Sequence, residues 1–301
     1  MNPRARKTYF RLPGGRFAVA NRAQVPRLAV AAASLLGPQV RRRLRTMEPR
    51  QAERLWAEAV IARLGVMIEV SGLAHVDPAE SYVVTPLHEG FADVPTLLAG
   101  LPLPLRFVAR AELASWPILG DGLKSGDHPI VTPEGGATAY RTMRRAAKHT
   151  FAARESLVVF PQGTILGIEA GFTRGAFHLA AAAGRPVLPI VITGTHRVWE
   201  HPFSPLVRFD QSVSLQVLRP IAPHEAVETR RMLERTMKRL ALSNPIPPRR
   251  FVPARDGWWD GYRFTIDSDF AELSEQVTNR RRGLRGGCDA PPPSPALDLT
   301  A

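Results

Sequence analysis

From Val66 onward the sequence alternates short apolar runs with segments of helical spacing, and that alternation leaves few architectures open. VMIEV (66–70), SYVVTP (81–86), LRFVAR (105–110), SLVVF (156–160), PVLPIVIT (186–193) and VSLQVL (213–218) read as strands. They are short, apolar and rich in β-branched residues. Between them lie FADVPTLLAGL (91–101), the short AELASW (111–116), a long basic segment at 136–153, and FTRGAFHLAAAAG (172–184), all with helical character. The last of these closes on a glycine cap. Strands and helices in alternation predict an α/β fold, with a mostly parallel central sheet flanked by helices.

The flanking segments differ in texture. Residues 1–24 are basic, carry a Pro13-Gly14-Gly15 turn, and read as a loose arm. Residues 26–64 are helical in pattern with a break at Gly37-Pro38, which predicts an N-terminal helical hairpin. The second helix runs over about 48–64, with Leu55, Ala59 and Ala62 near helical spacing. Two readings of this pair stand: helices lying in a membrane interface, or a hairpin packed on the main domain. Its most apolar stretch, LAVAAASLL (28–36), falls well short of the roughly 20 residues that cross a bilayer. After Pro223 a helix is expected over about 225–242, with Arg230, Arg231, Arg235 and Arg239 on its polar side. The remainder is Pro-rich and reads as irregular. Trp258, Trp259, Tyr262 and Phe264 are placed to dock back on the domain, and 280–301 has a disordered composition. The expected division is 1–65, 66–222 and 223–301.

Charge and cysteine content narrow the function classes. The 301 residues carry a net charge of +13, nearly all from arginine, since lysine stands only at positions 7, 124, 148 and 238. Such a surface attracts anionic lipid, cofactor phosphates or nucleic acid. No nucleic-acid recognition pattern accompanies the charge, so no nucleic-acid partner is expected. The lone Cys288 excludes an internal disulfide framework and a cysteine-based zinc site. There is no Walker loop, GxGxxG, HExxH or GxSxG. Neither a resident cofactor nor a metal is expected.

Two strand-to-loop junctions carry the chemistry. His88 and Asp93 bracket four residues directly after the strand at 81–86. The carboxyl end of a strand is where open α/β sheets bind ligands. A carboxylate in the following helical turn can hold one imidazole nitrogen and so support the other as a general base. In a chain with eight histidines the spacing alone is weak. The second junction is Phe160-Pro161-Gln162-Gly163-Thr164, where Gly163 permits close approach of a ligand and Gln162 and Thr164 offer neutral hydrogen bonds. On the long basic helix, Arg141, Arg144 and Arg145 read as a solvated face, with cofactor phosphate or anionic lipid as the competing partner.

With these blocks in view, the sequence resembles the glycerolipid acyltransferases typified by 1-acylglycerol-3-phosphate acyltransferase. His88 to Asp93 is similar to the family's HxxxxD block, FVARAELASWPILG (107–120) to the second, FPQGT (160–164) to the third and RPVLPIVITGT (185–195) to the fourth. FTRGAF (172–177) resembles the family's FKxGA helix start, and the resemblance spans about 66–220. It implies that His88 acts as base on an acceptor hydroxyl with Asp93 orienting it. It implies acyl-CoA or acyl carrier protein as donor co-substrate and a lysolipid acceptor. It also implies phosphate binding by Arg110, placement of the acceptor around Gly163, and pocket shaping by Pro189 and the Gly194-Thr195 turn. The implied location is the cytoplasmic face of a membrane, held peripherally or monotopically.

Three departures bear on the acceptor. Gln162 stands where the family commonly has Glu, Ile165 where it has Arg, and IVTPE (130–134) lacks the usual Asp-Arg pair. Arg174 or Arg197 is then the substitute cation; otherwise the acceptor is a different lipid or a lipid-like alcohol or amine. Two further alternatives are a non-catalytic lipid-binding homologue and a thioesterase using water.

Overall fold

The computed structural model describes residues 9–12, 17–116, 119–132, 135–199, 204–256 and 265–286. Its centre is a six-stranded sheet. The strands are β3 (Met67–Ser71), β4 (Val83–Pro86), β5 (Leu105–Phe107), β8 (Ser156–Val158), β9 (Val187–Thr193) and β10 (Ser212–Val217), in the order β3-β10-β9-β4-β8-β5. β9, β4, β8 and β5 run parallel; β10 is antiparallel to β9 and parallel to the edge strand β3. The mostly parallel α/β sheet expected from the sequence is therefore present. Beside it lie two small two-stranded pairs. One joins β1 (Phe10–Arg11) to β2 (Ala18–Val19), the other β6 (Ala109–Arg110) to β7 (Ile130–Val131).

Period-two alternation divides the inner strands between two cores. Val84, Val158, Leu188, Ile190 and Ile192 face helices α3 (Pro49–Leu64) and α4 (Asp93–Gly100), where Leu97 and Leu101 complete one core. Val83, Leu157, Val187 and Val191 face helices α6 (Ala137–Ala152), α7 (Gly175–Ala183) and α9 (Arg230–Ser243). Phe177, Leu233 and Met237 fill that second core, so α9 is packed on the sheet. β10 is apolar on one face only: Val213, Leu215 and Val217 point into the first core, and the residues between are polar.

The chain leaves β4 towards one face, through α4, and leaves β8 towards the other, through α7. Adjacent parallel strands whose exits diverge leave a crevice at their carboxyl ends, and open α/β sheets bind ligands there. Both motif loops, 88–93 and 160–164, sit at this point.

The N-terminal segment holds three helices rather than two: α1 (Val25–Leu36), α2 (Pro38–Leu44) and α3. Gly37 ends α1, and Pro38 opens α2 at a position where its missing N–H costs nothing. Trp56 Nε1 on α3 donates to the Leu35 carbonyl of α1 at 3.2 Å. The reading of residues 1–24 as a loose arm is corrected within the described part. Ala18 and Val19 are fully buried, and Ala18 N donates to the Pro205 carbonyl at 2.9 Å. Phe10 and Phe17 pack with Leu28, Leu35 and Phe209 in a third core, and their apolar rings outweigh the surrounding arginines. The turn at 13–15 lies outside the described residues.

Several boundaries move for identifiable reasons. The segment 172–184 becomes helical only at Gly175; ahead of it the N–H groups of Phe172 and Thr173 are held by Glu234 Oε1 (2.9 Å) and the Pro161 carbonyl (2.8 Å). LRFVAR splits into β5 and β6, since Ala109 N leaves the main sheet for the Pro129 carbonyl. Short helices α5 (Leu119–Ser125), α8 (Thr195–Val198) and α10 (Pro253–Asp256) had no clear periodic signal. The C-terminal part is less irregular than its composition implies: α11 (Ala271–Gly286) covers 280–286 of the stretch read as disordered. Trp258, Trp259, Tyr262, Phe264 and Cys288 lie outside the described residues.

Leu97 is fully buried on α4, the helix that begins with Asp93. Leu97→Ala is expected to lower stability by about 2–5 kcal/mol, through lost burial plus a residual cavity. Denaturant-induced unfolding of the variant beside the parent checks this.

Candidate functional site

The loop after β4 turns back on itself so that His88 Nδ1 meets Asp93 Oδ2 at 2.5 Å. Asp93 is the first residue of α4 and is fully buried. Its Oδ2 also accepts the backbone N–H of Glu89 (2.8 Å) and of Gly90 (3.1 Å). Its Oδ1 accepts the Thr195 hydroxyl. Four donors thus converge on one carboxylate at a helix N-terminus, where negative charge is favoured. With Nδ1 donating to Asp93, Nε2 is the nitrogen left to act as acceptor. The His88 ring stacks on Phe160, 3.8 Å between centroids and 19° between planes. The first residue of the second motif therefore fixes the ring plane of the first.

His88, Arg110, Gln162, Gly163 and Thr164 line one cavity of about 960 Å³. Arg110, at the end of β6, donates from Nη2 to the Gly163 carbonyl at 2.6 Å, so it braces the 160–164 loop. Gly163 has φ +64°, and a Cβ there would meet nothing within 4 Å, leaving open space before the backbone. Gln162 is buried and donates from Nε2 to the Gly167 carbonyl at 3.1 Å. Arg174 is exposed, between Thr173 and Gly175; those two line the cavity and Arg174 does not. Arg197 lies on α8, also outside the lining. Arg141, Arg144 and Arg145 are exposed on α6.

Most of the cavity wall is apolar. Leu28 and Leu35 of α1, Trp56 of α3, Leu98 of α4, Trp116, and Met143 of α6 all contribute. The charged lining is mixed: Arg45 and Arg110 against Glu53, Glu112, Asp121 and Asp256. Arg45 is paired with Asp121 at 3.2 Å, and Glu53 with both Arg50 (2.6 Å) and His128 (2.8 Å). Among the described residues no group of three or more His, Cys, Asp or Glu is placed to hold a metal ion.

Two buried carboxylates beside the site were not singled out from the sequence. Glu89 follows His88 and points inward. Its Oε2 accepts Gly194 N at 2.9 Å and contacts His196 Nδ1 at 3.1 Å, and its Oε1 accepts Arg249 N at 3.3 Å. Burial pushes the Glu89 carboxyl above the usual carboxylate range, while its contact with His196 pulls the other way. Glu169, beyond the 160–164 loop, accepts Phe251 N at 2.8 Å, and burial pushes its pKa up to about 7. The C-terminal segment at 249–251 is thereby tied to the 88–93 loop and to the turn that follows the 160–164 loop. An acid in a largely apolar stretch was the signal available for each. The Gly194-Thr195 turn, read as pocket-shaping, is absent from the cavity lining and instead contacts Glu89 and Asp93. Pro189 also lies off the cavity, in β9 opposite Thr85.

Residues 67–193 match the Acyltransferase family. The chain is 29% identical over 142 residues to 1-acyl-sn-glycerol-3-phosphate acyltransferase of Limnanthes alba, which covers 46% of this chain and 50% of that protein. It is 32% identical over 142 residues to 1-acyl-sn-glycerol-3-phosphate acyltransferase alpha of Homo sapiens, covering 43% and 46%. The chain thus spans about half the length of the curated relatives it matches. The fold is similar to the crystal structure of the 1-acyl-sn-glycerophosphate (LPA) acyltransferase PlsC from Thermotoga maritima. The TM-score is 0.52 at 21% identity, over 71% of this chain and 90% of that one.

Because the folded-state pKa of Glu169 lies above its unfolded value of 4.5, the folded state holds the proton more tightly. Its stabilising contribution is present below pH 4.5 and is lost as pH rises towards 7, by about 3 kcal/mol. Thermal melting from pH 5 to pH 8 is expected to show falling stability, with a smaller fall in Glu169→Gln. An equal fall in both proteins contradicts the assignment.

Proposed function

We propose, from the premise that residues 67–193 belong to the acyltransferase family, that this chain moves a fatty acyl group from a thioester to the hydroxyl of a lysophospholipid of the 1-acylglycerol-3-phosphate type. The observation that carries this reading is the His88–Asp93 hydrogen bond at the wall of a large, mainly apolar cavity. A base fixed beside an apolar chamber suits a reaction whose reactants are an acyl chain and a lipid alcohol.

In this reading His88 Nε2 takes the acceptor's hydroxyl proton as the oxygen attacks the thioester carbonyl. Asp93, holding Nδ1–H, stabilises the imidazolium that forms and keeps the tautomer fixed. Collapse of the tetrahedral intermediate breaks the C–S bond, and the proton on Nε2 passes to the leaving thiolate. The products are the acylated lipid and the free thiol of coenzyme A or acyl carrier protein. Gly163, with open space before its backbone, and Thr164 place the acceptor, while Gln162 holds the loop from below. Arg110 is the guanidinium beside Gly163 and meets the acceptor phosphate. Arg174 is the exposed cation next to the cavity residues Thr173 and Gly175, where it draws the anionic headgroup. The reaction takes place at a lipid surface on its cytoplasmic face, bound peripherally or monotopically. Exposed Val30 of α1 and Leu55 of α3 support contact with lipid, and no described helix is long and apolar enough to cross a membrane.

A second reading keeps the chemistry and changes the acceptor to a lipid without phosphate. Carboxylates outnumber arginines in the cavity lining, and Ile165 is buried where the family resemblance leads one to expect an arginine. Purified protein, a labelled acyl thioester and a panel of lysolipids separate the two: the first reading expects lysophosphatidate as the preferred acceptor, the second a neutral or zwitterionic lipid.

His88→Ala is expected to lower kcat by about 10²–10⁴-fold with the fold intact. Full transferase activity in a cooperatively melting His88→Ala protein would falsify the general-base assignment.

A further inference from the structure

The loop of the general base and the turn after β9 are laced together at three points. Glu89 Oε2 accepts Gly194 N at 2.9 Å, the same oxygen contacts His196 Nδ1 at 3.1 Å, and the Thr195 hydroxyl donates to Asp93 Oδ1. Glu89 and Asp93 of the loop and Thr195 of the turn are all buried. Gly194 has φ +94°, and a Cβ there would stand 2.7 Å from the Ser212 carbonyl, so the turn is tight and closely packed against β10. Thr195 opens the short helix α8, where its hydroxyl could have bonded its own helix; it reaches across to Asp93 instead.

The donors at Asp93 divide the work. Oδ2 is held by two backbone N–H groups and carries the bond to His88. Oδ1 is held by the Thr195 hydroxyl, the side-chain donor the structure gives it. A carboxylate pinned at both oxygens does not rotate about χ2, and so it keeps one oxygen in line with Nδ1–H of the imidazole. Without the hydroxyl, Oδ1 becomes a buried charged acceptor lacking that donor, and the group turns or tilts to recover one.

We infer that Thr195 is a positioning residue for the His88–Asp93 pair, acting on the base through Asp93 and touching neither substrate. This rests on the acyl-transfer reading for its kinetic consequence but not for its geometry. It gives the Gly194-Thr195 turn a task that its distance from the cavity lining would otherwise leave unexplained.

The test compares Thr195→Val, Thr195→Ala and Thr195→Ser in the full chain. Transfer kinetics, thermal melting and the proton resonance of His88 Nδ1–H are read for each. Valine preserves shape and removes the donor; serine restores the donor without the methyl. Thr195→Val is expected to lose about 10–100-fold in kcat, the worth of one hydrogen bond to a charged group, with KM within about twofold. Thr195→Ser is expected to keep kcat within about threefold and a downfield Nδ1–H resonance, which moves upfield in the valine variant. If the valine protein does not melt cooperatively, alanine, which forces no branched carbon against Asp93, takes its place. A folded valine or alanine variant with unchanged kcat and resonance overturns the inference, as does a serine variant as impaired as valine. If the parent protein transfers no acyl group to any acceptor, the functional reading fails, and the resonance comparison still decides the role of Thr195.

Discussion

A carboxylate with no access to water has to receive its hydrogen bonds from the protein, and the site is organised around that need at Asp93. Its donors come from the loop before α4, from His88 and from the turn after β9. Leaving a buried charged acceptor short of partners costs more than an ordinary hydrogen bond returns. The loop at 88–93 and the turn at 194–196 therefore have to meet in one register. The sheet provides it: β4 and β9 are parallel neighbours, with Thr85 opposite Pro189 and Pro86 opposite Ile190, so both chains leave the sheet side by side.

The other neighbour of β4 supplies the other half. β8 runs parallel on its far side and delivers Phe160 onto the imidazole, with Gln162, Gly163 and Thr164 following. The central place of β4 is what lets one histidine be gripped by a carboxylate on one side and a ring on the other. Burial on both faces is the condition for that position. Val83 and Val84 point into different cores, one closed by α3 and α4, the other by α6, α7 and α9. Neither core is optional, because losing either exposes the strand that leads into His88.

Much of this was readable from residue order. The inner strands announce themselves as apolar β-branched runs, and the two motifs fall at their carboxyl ends. His88, Arg110, Gln162, Gly163 and Thr164 do gather at one cavity. What escaped was long-range polar pairing. Glu89 carries no signal of its own beside His88, and nothing local says that Gly194 and His196, more than a hundred residues on, will receive it. The N-terminal arm was misread for a related reason. Its arginines dominate its composition, while its fate is set by Phe10, Phe17 and Val19 meeting a core contributed by α1, α3 and residues near 207–209. Periodicity reports what a segment can bury; it is silent about which remote group will accept it.

Segments outside the matched region also shape the chamber. Leu28, Leu35 and Trp56 come from the N-terminal helices, and the C-terminal segment holds Glu89 through Arg249 N and Glu169 through Phe251 N. An apolar chain seated against such a wall gains about 0.8 kcal/mol for each methylene removed from water. That gain supplies affinity without using charge. The arginines accordingly act elsewhere: Arg141, Arg144 and Arg145 are exposed on α6, and Arg231, Arg235 and Arg239 on α9. Inside, Arg45 faces Asp121 and Arg110 braces Gly163. The net charge of +13 is therefore a property of the exposed surface, which favours anions in general, and not of the chamber.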